Sequence, residues 1–176
     1  MMYETTNVMG YIKSGILGGI FGAWAIFGFI LLVESSLGLE SGTLYKVIAL
    51  SLGSDINSAI YLGFIAHMTV GSIIGIMFGL VISRFFPMMD KRILGLGIIA
   101  GIITFLVLFL PVTYLLIIPS LEELSNMLDQ PMLLKMVEGY TFIAGALSMH
   151  IIYGFILGLM QYLGVVIVPK EAQSLS

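Results

Sequence analysis

The sequence predicts an all-α integral membrane protein, a four-helix bundle crossing the bilayer four times, and three observations carry that prediction. Hydrophobic residues fill 59% of the 176 positions and charged residues 10%, against about 45–50% and about 25% in a soluble domain. Four stretches contain no Asp, Glu, Lys or Arg: those between Lys13 and Glu34, between Asp55 and Arg84, between Arg92 and Glu122, and between Glu138 and Lys170. Each holds about 20 residues or more, enough to cross ~30 Å of hydrocarbon at ~1.5 Å per residue. The net charge of the connections also alternates in sign.

The predicted helices run from Ser14 to Val33, Ala59 to Ser83, Ile93 to Ile118 and Tyr140 to Val168. Residues 1–11 lack a cationic segment and a small-residue cleavage site, so the first stretch is expected to remain a span. Arg84, Lys91 and Arg92 stand against Asp90 in the middle connection, while the other two carry Lys46 against Glu34, Glu40 and Asp55, and Lys135 against Glu122, Glu123, Asp129 and Glu138. Basic residues beside spans stay cytoplasmic. The chain is therefore expected in the plasma membrane with the acidic loops outside and both termini in the cytoplasm, beside Lys13 and Lys170.

Each outer loop is expected to hold a short interfacial helix, Thr43 to Leu52 and Leu121 to Val137. In the second, Ser120 and Glu123 match a capping box, and Pro131 should break the helix. Pro111 lies inside the third span, where it frees the Val107 carbonyl and should kink the helix. Trp24 lies near mid-span rather than at an interface, which predicts a neighbouring helix or partner subunit against it.

Composition excludes several functions. A net charge of -3 with scattered carriers gives no nucleic-acid footprint. The chain has no cysteine, hence no disulfide and no thiol chemistry. Without a nucleotide-binding loop, a catalytic triad or paired intramembrane carboxylates, it reads as a non-enzyme.

The two halves resemble each other within one membrane domain, 1–176, as repeats of about 10–83 and about 93–168. Gly15-Ile-Leu-Gly-Gly-Ile parallels Gly97-Ile-Ile-Ala-Gly-Ile, and Leu44-Tyr-Lys-Val-Ile parallels Leu133-Leu-Lys-Met-Val. The strongest match is His67-x3-Gly71-x3-Gly75 against His150-x3-Gly154-x3-Gly158. Glycines four apart share a helix face, so Gly71, Gly75 and Gly79, with Gly154 and Gly158, form smooth stripes. Gly15, Gly19, Gly97 and Gly101 are their expected packing counterparts.

His67 and His150 are the candidate site. Ionisable groups inside spans are costly and face the bundle interior, and both lie ~12 to 15 Å from their outer helix ends at ~1.5 Å per residue. Four uses compete: a neutral hydrogen-bonded histidine, a pair of axial ligands to haem b with the glycine one turn away giving the porphyrin room, a copper site, and a proton or ammonium path.

The paired motifs, His67-Met-Thr-Val-Gly-Ser-Ile-Ile-Gly and His150-Ile-Ile-Tyr-Gly-Phe-Ile-Leu-Gly, resemble those of a family of small duplicated four-span prokaryotic membrane proteins of unknown function. The cysteine-free, Ile-, Met- and Gly-rich style is also similar to small accessory subunits of archaeal copper ammonia monooxygenase complexes. The expected function is a non-catalytic accessory subunit of a larger membrane complex, such as that oxidoreductase. Its expected partners are the bilayer and membrane protein subunits or further copies of itself. A haem-binding electron carrier using His67 and His150, and a small-solute or proton pathway, are the alternatives.

Overall fold

The computed structural model describes residues 8–86, 91–137 and 140–164. It is 87% helical, with no strand among those residues. Its helices are α1 (Val8–Ser36), α2 (Thr43–Ser51), α3 (Ala59–Phe85), α4 (Arg92–Met127), α5 (Met132–Met136) and α6 (Tyr140–Tyr162). Hydrocarbon offers backbone groups no partners, so an apolar segment closes its own hydrogen bonds as helix. Helices α1, α3, α4 and α6 are long and apolar enough to span a membrane, and the chain is a multi-pass helical membrane protein. Residues 165–168, the predicted end of the fourth span, lie outside the described residues.

Helix α4 departs from expectation at its C-terminal end. The capping box is absent, because the helix runs unbroken to Met127 and leaves no free N–H groups at Ser120 to cap. The Ser120 hydroxyl turns back onto the Ile117 carbonyl at 3.0 Å and meets the Ser51 hydroxyl of α2 at 3.2 Å. The helix breaks immediately before Pro131, at a turn where Asp129 takes φ 52°, and Pro131 then starts α5. At Pro111 a single α-turn, Leu110–Val112, is flanked by two π-helical turns, Phe105–Phe109 and Thr113–Ile117. The missing proline N–H is absorbed by wider bonds, such as Leu110 N–H to the Phe105 carbonyl.

The helices pack in the order α3, α1, α6, α4. Helices α3 and α4 scarcely touch, and an apolar groove of about 440 Å³ lies between them, lined by Ile74, Phe78, Ile82, Leu96, Ile103 and Val107 among others. Between the spanning helices, glycine packs on glycine. Gly15 faces Gly75 and Gly19 faces Gly71 between α1 and α3, while Gly97 and Gly101 face Gly154 between α4 and α6. Gly79 meets the Tyr11 backbone and Gly158 that of Ile93 and Leu94. A side chain at these positions would drive into a neighbouring main chain, so van der Waals contact between bare backbones binds the helices.

One end of the bundle is closed by α2, α5 and the end of α4 over a small second core of Leu39, Val47, Leu121, Leu124 and Leu133. Glu34 holds α2 there. The sequence places it in an acidic loop, yet it lies inside α1 at 0% exposure. Its carboxylate accepts the Gly42 and Leu44 N–H groups at 2.7 and 2.8 Å. Gly42, the residue that starts α2, has no side chain of its own to cap the helix, so Glu34 supplies the acceptor from another element.

Candidate functional site

His67 lies on α3 and His150 on α6, both part-buried in the bundle. Their surroundings differ. The His67 ring meets Tyr45 of α2 edge-on, with centroids 5.7 Å apart, and faces the Ala23 carbonyl of α1. Its Nε2 is buried and has no hydrogen-bond partner among the described residues. Tyr45 is held between Phe27 at 5.8 Å and Phe64 at 5.7 Å, and its buried hydroxyl likewise has no partner there. Burial, and then the Glu34 carboxylate, push that hydroxyl well above the ordinary tyrosine range, so it remains a donor.

His150 is pinned locally. Its Nδ1 lies 2.7 Å from the Ala146 carbonyl one turn back. A carbonyl only accepts, so Nδ1 carries the proton and, in the neutral ring, Nε2 keeps the lone pair. Phe105 and Phe109 cover the ring at 5.6 and 5.0 Å, and they stack on each other at 5.5 Å. Both phenylalanines belong to the first π-helical turn. The distortion around Pro111 thus shapes the wall of the His150 environment.

Two buried polar groups in this interior escaped sequence reasoning. The Tyr153 hydroxyl donates to the Gly71 carbonyl at 2.9 Å, tying α6 to α3 across α1. Its ring crosses α1 at Gly22, where a methyl group would stand 2.7 Å from the Tyr153 Cδ2. Tyr153 is one turn from His150, and Gly71 one turn from His67. Gln161 is fully buried in α6, and neither end of its amide has a partner among the described residues. Gln161 was visible as the one amide in an otherwise uncharged stretch; nothing in the sequence signals the reach of Tyr153.

The glycines below the histidines are occupied by helices. A methyl group on Gly71 would lie 2.9 Å from the Ala23 Cβ and 2.9 Å from the Gly19 carbonyl, and one on Gly154 would strike the Gly97 carbonyl. The room that the haem alternative assigns to these glycines is taken by α1 and α4. Among the described residues the histidines have no third His, Asp or Glu gathered with them as a metal-binding group. The groove between α3 and α4 carries only Thr104 as a polar side chain, and its hydroxyl is committed to the Ala100 carbonyl at 2.9 Å.

The fold defines a helical, multi-pass membrane protein with a histidine and tyrosine centre inside the bundle. No protein-family model, no curated protein and no solved structure matches the chain.

Proposed function

We propose that this chain is a non-catalytic accessory subunit of a larger membrane protein complex, with both termini in the cytoplasm and the end closed by α2 and α5 outside. Trp24 carries the reading. It lies about 24 Å from one end of α1 and about 18 Å from the other at ~1.5 Å per residue, deep in the hydrocarbon. It is 60% exposed on the outer surface of the bundle. Its indole N–H makes no hydrogen bond with the described residues, and lipid tails offer no acceptor. A helix of another subunit supplies both the contact surface and the acceptor. Leu17, Phe21 and Leu32 extend the same exposed face, and Gly28 beside them has nothing within 4 Å of the space a side chain would fill.

The matching glycine contacts of α1 with α3 and of α4 with α6 support a tandem duplication of one two-helix unit. On the resemblance drawn from its sequence, the complex is a membrane oxidoreductase of the copper ammonia monooxygenase type. The electron-carrier alternative has less support, because Gly71 and Gly154, the glycines expected to give a porphyrin room, pack against α1 and α4.

The test is extraction from the protein's own membranes in mild detergent, with a photo-crosslinking residue at position 24. The expected result is migration with a larger complex and a crosslink from position 24 to a partner. Purification as a lone monomer without a crosslink overturns the proposal.

A further inference from the structure

Phenylalanine at position 45 would keep every ring contact that Tyr45 makes with Phe27, Phe64 and His67. The sequence nevertheless spends a hydroxyl there, at a residue 1% exposed. On the adjoining ring, His67 Nε2 is also buried without a partner among the described residues. Two neighbouring orphans of this kind are rare, since buried polar groups are almost always bonded to protein or to ordered water. Side chains beyond direct reach of each other are commonly joined by one small bridging molecule.

We propose that Tyr45 Oη and His67 Nε2 form a binding site for one water-sized solute that both donates and accepts hydrogen bonds, at the junction of α1, α2 and α3. Water and ammonia share that chemistry. The tyrosine donates to the solute, and the solute donates to Nε2; water, with two lone pairs, can instead accept from Nε2 in the other ring tautomer. The Ala23 carbonyl, which the histidine ring faces, is a further acceptor on the α1 side. The site does not depend on the accessory-subunit reading, because all its groups belong to this chain.

Full-length protein with 15N-labelled histidine rings, in lipid bilayers and ammonium-free buffer, tests it by magnetisation transfer from water protons to the ring nitrogens. The His67 Nε2 signal is assigned by its loss in His67→Phe. The expected result is transfer to His67 Nε2 that disappears in Tyr45→Phe, with the melting temperature of that variant lowered by about 2–4 °C, the shift typical of losing one such bond in a domain this size. If instead transfer is absent in ammonium-free buffer and the His67 Nε2 resonance moves on adding ammonium chloride, ammonia is the occupant and the site stands. Absence of both responses overturns it. So does a Tyr45→Phe variant that melts higher than the parent, since removing a true orphan stabilises.

Discussion

Glu34 shows how a single residue changes meaning between sequence and structure. As a charge at the edge of an uncharged stretch it marks the end of a span. Folded, it is fully buried and satisfies two N–H groups at the start of α2. Glu34→Ala leaves both donors without that acceptor and is expected to cost about 1–3 kcal/mol, read as a lower melting temperature in detergent. Glu34→Gln retains one acceptor oxygen and should lose less; an alanine variant as stable as the parent would show that the carboxylate does not hold α2. The histidines illustrate the opposite case. Their helices and depths were legible from spacing alone. Tyr45, Phe105 and Phe109, which give the two rings different environments, come from other elements and carry no sequence signal of that pairing.

At the level of the helices, the glycine stripes were readable and their partners were not. Four-residue spacing puts Gly71, Gly75 and Gly79 on one face, but a stripe serves equally for a ligand, another subunit or a helix of the same chain. The structure spends these stripes within the chain. Gly75→Val is expected to separate α1 from α3, since the added carbons would strike the Gly15 carbonyl. Gly145→Ala, with nothing within 4 Å of the new carbon, should be neutral or slightly stabilising through helix propensity of about 0.5–1 kcal/mol. Thermal unfolding of the two variants side by side checks this, and equal effects would remove close packing as the explanation. Helix α4 marks where local reading fails. Its capping-box pattern is genuine in the sequence, but a cap requires free N–H groups, and the continuing helix has already used them.

For the whole molecule, the packing order α3, α1, α6, α4 places the junction between the halves on α1 and α6 rather than on α3 and α4. Gly18 against Leu157 and Gly22 against Tyr153 form that junction. Two fragments divided between positions 88 and 89, expressed together, are therefore expected to reassemble and co-purify, and Gly18→Phe should abolish their association. Reassembly that tolerates Gly18→Phe would place the junction elsewhere. The sequence by itself determined a helical, multi-pass membrane protein with four spans, because uncharged length and hydropathy are properties of each segment alone. It also determined which glycines share a face, because helix periodicity is local. Only the tertiary structure decided which faces meet, that Tyr153 bridges to Gly71, that Glu34 turns inward and that Tyr45 reaches His67. Those depend on how each helix is rotated about its axis, and rotation is fixed by side chains and backbones on other helices.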